Sequence, residues 1–131
     1  MENQLKATEL RIENFINDNN NFTMQVVGLF DDEVLLNFEG NEGDVFVYTG
    51  KQLELLKPIH LTEDILVKLG FKKTANPREL KYGDYSILLL NEIRFVIYNY
   101  MENPPSVKVS TVHQLQNLFF ALTGEELTFK N

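Results

Sequence analysis

The sequence predicts an α+β fold: an N-terminal β-meander curled into a small barrel of the Src-homology-3 type, then a helix, an antiparallel hairpin and a C-terminal helix. Three observations predict it. Residues 14–59 alternate short apolar runs with turn residues. Residues 61–71 carry the punctuation of a short capped helix. Near the end, Val112, Leu115, Leu118, Phe119 and Leu122 recur at the spacing that paints one helical face. With 131 residues, 44% of them hydrophobic, the chain can bury a core as one compact domain over 1–131, without disulfides or metals. Residues 14–59 form its barrel-like half and residues 60–131 its α+β half.

The front half reads as four or five strands: Phe15-Ile16, then residues 22–30, 33–38, 45–48 and 53–56, separated by polar turns at 17–21, 31–32 and 40–44. Phe22, Met24 and Val26 share one parity and Val45 and Val47 another, the period-2 pattern of half-buried strands. Strands this short cannot bury both faces as a flat sheet, hence the expected barrel.

The rear half opens with a helix. Thr62 is its N-cap, Glu63 and Asp64 place negative charge in the first turn, and Gly70 supplies the left-handed C′ residue. Leu61 and Leu66 stand at staple positions, and Phe71 can fold back on Leu66. Ile65, Leu66 and Leu69 then face the core. Residues 85–90 and 93–100 are strands rich in β-branched and aromatic residues, with Asn91-Glu92 as a tight turn. Asn103-Pro104-Pro105-Ser106 interrupts pairing, and residues 107–109 can resume it. The last helix begins at Thr111, whose spacing to Gln114 matches a capping box, and ends at Gly124; Leu127 and Phe129 add a final edge strand.

Charge is unevenly placed. No Lys or Arg occurs between Ile12 and Gly50, while Glu13, Asp18, Asp31, Asp32, Glu33, Glu39, Glu42 and Asp44 contribute eight negative charges. Residues 51–131 carry ten bases against nine acids, so the net −7 resides in the front half. An acidic front half repels phosphate, which excludes duplex nucleic acid as its partner. Absence of cysteine excludes disulfide scaffolds, thiolate zinc sites and cysteine nucleophiles. The start of the sequence is polar, and its longest aliphatic run, residues 87–90, is far too short to span a bilayer, so the chain reads as cytoplasmic and free of membrane.

No catalytic or metal constellation emerges, and no cofactor is implied. His113 lies in the first turn of the last helix near Thr111, but no partner acid is local, so it reads as a packing or hydrogen-bonding residue. His60 reads as a surface residue. The acids Asp31, Asp32, Glu33, Glu39, Glu42 and Asp44 match no calcium loop and read as polar hairpin turns, or as a surface that meets a basic partner. Gly40-Asn41-Glu42-Gly43 lacks the lysine and helix of a phosphate cradle. Lys68, Lys72, Lys73, Arg78 and Lys81 form the basic patch, where a phosphate-bearing ligand could sit with Phe71, Tyr82 and Tyr85 as stacking groups. The same cations also complement a helix dipole with no ligand at all. Of Phe119 and Phe120, one is core and the other is core too or a homo-oligomer contact through the last helix.

The closing string Val112-His113-Gln114-Leu115-Gln116-Asn117-Leu118-Phe119-Phe120-Ala121-Leu122-Thr123-Gly124-Glu125-Glu126-Leu127 resembles the ending of a group of uncharacterised small proteins of Bacteroidales genomes, phages and mobile elements. Leu10-Arg11-Ile12-Glu13-Asn14-Phe15-Ile16 is similar to that group's opening, which usually has Gly where this chain has Glu13. The segment from Lys57-Pro58-Ile59-His60-Leu61-Thr62-Glu63 to Gly70-Phe71 resembles its middle, where Pro commonly stands at His60. The resemblance implies an origin in a gut bacterium or its phage and brings no catalytic residues. Three function classes follow: a non-catalytic acidic protein that binds a host protein, such as an inhibitor of bacterial defence; a nucleotide-sequestering oligomer using the basic patch; and an enzyme, which no nucleophile, metal set or carboxylate pair supports.

Overall fold

The computed structural model describes residues 9–38, 42–83, 85–91, 94–99 and 107–129. Among the described residues, two antiparallel sheets, two α-helices and a 3-10 helix make up the fold. The front sheet has the order β1-β2-β3-β4, from Phe15–Asn17, Thr23–Phe30, Glu33–Phe38 and Glu42–Thr49. Residues 53–56, expected as a strand, instead lie mostly in the 3-10 helix Gly50–Leu55, where Gln52 Oε1 accepts from the Thr49 N–H at 3.0 Å and ties the turn to β4. That compact turn returns the chain to β1, and Lys57 and Asn17 then exchange both backbone hydrogen bonds at 2.9 Å. No closed barrel forms among the described residues, because this return is a single bridge and β4 pairs with β3 alone.

The rear half follows its local signals closely. Helix α1, Glu63–Lys68, is capped by Thr62 Oγ1, which accepts from the Ile65 N–H at 3.2 Å. It closes with both bonds of a Schellman ending: Phe71 N–H to Leu66 O and Gly70 N–H to Val67 O, each 3.0 Å, with Gly70 at φ 106°. Residues 72–82 hold two strands that the composition hides, β5, Lys72–Lys73, and β6, Glu79–Tyr82. They join β7, Tyr85–Asn91, β8, Arg94–Asn99, and β9, Val107–Val109, in one five-stranded sheet. Asn91 pairs with Arg94, one residue later than the expected turn at Asn91-Glu92; Glu92 and the break Asn103-Pro104-Pro105-Ser106 lie outside the described residues. Consecutive Ser86 and Ile87 are both fully buried, so β7 is covered on its two faces there.

Helix α2, Val112–Thr123, begins at Thr111, whose Oγ1 accepts from the Gln114 N–H, and ends at Gly124 in the left-handed region. The Gln114 side chain answers one residue upstream of a regular capping box, at the Ser110 N–H. Leu127 is buried and the Phe129 ring lies 4.6 Å from Phe15, but the tail is not a strand. The apolar stripe is shifted as well: Val112, Leu115 and Phe119 are buried, Leu122 is half exposed, and the polar His113 and Gln116 are buried in its place. They turn toward residues 9–16, so α2 has two packed faces rather than one.

Strand β1 is the seam between two cores. Phe15 points into the rear core with Leu66, Phe71, Ile87, Leu115 and Phe119, while the next residue, Ile16, points into the front core with Met24, Val26, Val34 and Leu36. One edge of β1 pairs with β2. The other is met by the fully buried Gln116 amide, which accepts from the Phe15 N–H at 2.9 Å and donates to the Glu13 carbonyl and the Leu127 carbonyl at 3.0 Å. A side-chain amide thus does for β1 what a neighbouring strand would do. Before it, the turn over Arg11 to Asn14 forms with Glu13 at φ 89°, so Glu13 holds the left-handed geometry that Gly would hold without strain.

Gln116→Leu leaves a buried N–H and two carbonyls unpaired, and urea unfolding is expected to show a loss of about 2–4 kcal/mol. Glu13→Gly, by relieving the turn, is expected to raise stability by about 1 kcal/mol in the same measurement.

Candidate functional site

The front sheet carries an apolar strip bounded by acids. Asp31 and Asp32 form the exposed two-residue turn between β2 and β3, closed by the pair Phe30 and Glu33. At the other end of β3, Phe38 pairs with Glu42. The register therefore divides the six acids expected to act together: Asp31, Asp32 and Glu33 sit at one end, and Glu42 sits about 17 Å away along the strand. Asp44 lies two residues further along β4, and Glu39 lies outside the described residues.

Between the two ends the sheet shows hydrocarbon to solvent. Val45, Phe46 and Val47 are consecutive on β4 and 39–50% exposed, so both faces of the strand are open. The Phe46 ring meets Phe38 edge-on at 5.5 Å, and Phe30 stands 61% exposed beside the acidic turn. This departs from the expected half-buried pattern for Val45 and Val47, because β4 is an edge strand with β3 as its single strand neighbour among the described residues. Phe22, expected to be in register with Met24 and Val26, precedes β2 and is exposed, while the Asp18 carboxylate accepts from the Asn20 and Phe22 N–H groups and holds that turn.

The basic patch is taken apart by strand parity. Lys72 and Lys81 are cross-strand partners with exposed side chains. Lys73 points to the other face, where its ammonium lies 2.9 Å from Glu63 Oε2; that hydrogen bond is the main reason it titrates above its ordinary value. Lys68 ends α1, where a cation suits the dipole, and Arg78 sits in the loop before β6. Of the expected stacking groups, Phe71 is buried in the core, and Tyr82 and Tyr85 are half-buried against it. The Tyr82 ring centroid lies 5.3 Å from Phe71 and 5.1 Å from Phe119, and Tyr85 lies 5.4 Å from Phe119. Phe119 is buried, and Phe120, partly exposed, lies beneath the Arg11 guanidinium at 4.5 Å.

Sequence reasoning missed a polar network at the seam. Arg11 makes a two-pronged pair with Glu126 at 2.7 and 3.1 Å and donates to Asn117 Oδ1 at 2.9 Å, which also receives the buried Asn14 amide. His113 belongs to the same region. Its Nδ1 lies 3.3 Å from Thr111 Oγ1, while Glu9 Oε1 stands 3.5 Å from Nε2, close enough for attraction but without hydrogen-bond alignment. Burial lowers the imidazole's affinity for a proton, against the opposing pull of Glu9. The Tyr48 phenol shifts upward, first through burial and then through Asp18. His60 is exposed on the bridge to Thr111. Among the described residues no three His, Cys, Asp or Glu side chains could hold a common metal ion, and no helix is long and apolar enough to cross a membrane.

Because the folded state disfavours protonated His113, the unfolded chain takes up a proton that the folded chain resists as pH falls below 6.5. The stability contributed by the neutral ring is complete above that pH and lost beneath it. Urea midpoints should therefore decline from pH 7 toward mild acid in the native chain, more steeply in Glu9→Gln, and more weakly in His113→Gln. No known protein family, curated protein or solved structure matches the chain.

Proposed function

We propose that the chain is a non-catalytic, acidic interaction protein that binds a host protein through its front sheet, and that it is encoded by a phage or mobile element, where inhibition of a bacterial defence system is the natural use. The observation that carries this proposal is the exposed strip of Phe38, Val45, Phe46 and Val47, set in a stretch that has no Lys or Arg between Ile12 and Gly50. Exposed hydrocarbon along a sheet edge, bounded by like charges, marks a surface that recognises a partner of opposite charge. Asp31, Asp32 and Glu33 project at one end of the strip and steer that partner's approach.

The phage or mobile-element origin rests on the likeness of the closing string, the opening and the middle of the sequence to Bacteroidales proteins. The nucleotide alternative is weakened by the burial of Phe71 and the packing of Tyr82 against it.

Tagged protein incubated with lysate of a Bacteroidales host should retain one stoichiometric protein at low salt. The triple variant Asp31→Lys, Asp32→Lys, Glu33→Lys, whose side chains are not part of the front core, should fold normally and retain at least about tenfold less. Equal retention by both forms, or recovery of nucleotide alone, would remove the proposal.

A further inference from the structure

Among the described residues, strand β4 differs from every other sheet edge. The outer edge of β1 is three residues long and is met by the Gln116 amide and by Lys57. On the rear sheet, β5 is two lysines and β9 is three residues centred on Lys108. Short length, positive charge and a covering group are the usual means by which a sheet edge avoids pairing with another chain. Among the described residues, strand β4 has none of them. It is eight residues long, contains neither Lys nor Pro, and has β3 as its single strand neighbour among the described residues. Its centre, Val45-Phe46-Val47, is β-branched and aromatic and exposed on both faces.

Charge decides what such an edge can accept. A second copy docking β4 against β4 would bring together two strands that each carry Glu42 and Asp44 and no cation, in sheets that have no Lys or Arg between Ile12 and Gly50. A strand bearing Lys or Arg around an apolar centre meets the opposite situation: acids at both ends of the strip and hydrocarbon between them. We propose that β4 takes an extended, basic segment of a partner protein as a fifth strand of the front sheet. Backbone hydrogen bonds along β4 supply affinity, while alternate side chains of the segment rest on Val45 and Val47 on one face and on Phe46 and Phe38 on the other. This inference deepens the proposed interaction function and rests on it for the identity of the partner, but not for the behaviour of the strand.

The test uses the full chain and a fluorescein-labelled peptide of the same eight-residue length as β4, alternating lysine with valine, beside a control with glutamate for every lysine. Anisotropy should show saturable binding of the basic peptide only, and amide hydrogen exchange should slow along β4. The double variant Val45→Lys, Val47→Lys, placed at exposed positions so that folding is kept, should bind at least about tenfold more weakly, and Val47→Pro should do the same. Lys72→Glu, on the other sheet, should bind as the native chain does. Binding without slowed exchange at β4, or full binding by the lysine variant, would overturn the strand and leave a purely electrostatic acidic surface. Equal binding of the glutamate peptide, no binding of either, or protection of β4 that rises with protein concentration alone would also overturn it, the last by making a second copy the occupant. Loss of the lysate partner with peptide binding intact would instead count against the proposed function only.

Discussion

The fold depends on one buried amide. Gln116 stands where a strand is missing: its side-chain oxygen takes the Phe15 N–H and its NH2 group takes the Glu13 carbonyl, so the entry to β1 is hydrogen-bonded on the side that faces helix α2. Buried backbone groups are nearly always paired, and water does not reach this one. Because Phe15 and Ile16 project into different cores, the amide holds together two apolar interiors as well as one strand edge. A third bond, to the Leu127 carbonyl, fixes the segment after α2 against the same point.

The network around it shares the load among charged and neutral partners. Arg11 closes over Phe120 and grips Glu126, Asn117 and the Gln116 carbonyl, while Asn14 receives the Arg11 N–H on its side-chain oxygen and passes its own amide to Asn117. In a low dielectric such a set is strong when every member is met. His113 Nε2 is the exception, a buried nitrogen with no aligned partner, and its reluctance to take a proton follows from that setting.

What could be read from the residues was what adjacent residues decide. The caps at Thr62, Gly70, Thr111 and Gly124 are local motifs, and each appears where its spacing puts it. The β2–β3 hairpin follows from Asp31-Asp32 between two apolar runs. Strands β5 and β6 escaped notice because Lys72-Lys73 has no apolar period and owes its pairing to a sheet built from later residues. His113 reads from the sequence as a packing or hydrogen-bonding residue and is buried, but the role of Gln116 was not legible, since nothing near it in sequence announces that residues 9–16 pack there. The candidate site divides along similar lines. Its acids and exposed aromatics were visible as composition, but their separation to opposite ends of β3, and the split of Lys72 from Lys73, are consequences of register and parity.

The distance along the chain between Phe15 and Gln116 has a consequence for biosynthesis. Their hydrogen bond spans 101 residues, and a ribosome adding about 5–20 residues per second needs on the order of 5–20 s to travel that far. For about the last two-thirds of that interval the nascent meander has every strand of its sheet, β1 to β4, yet lacks the helix that completes its first one. Escort by a chaperone during those seconds would matter more to this chain than to one whose early strands are finished by their immediate neighbours.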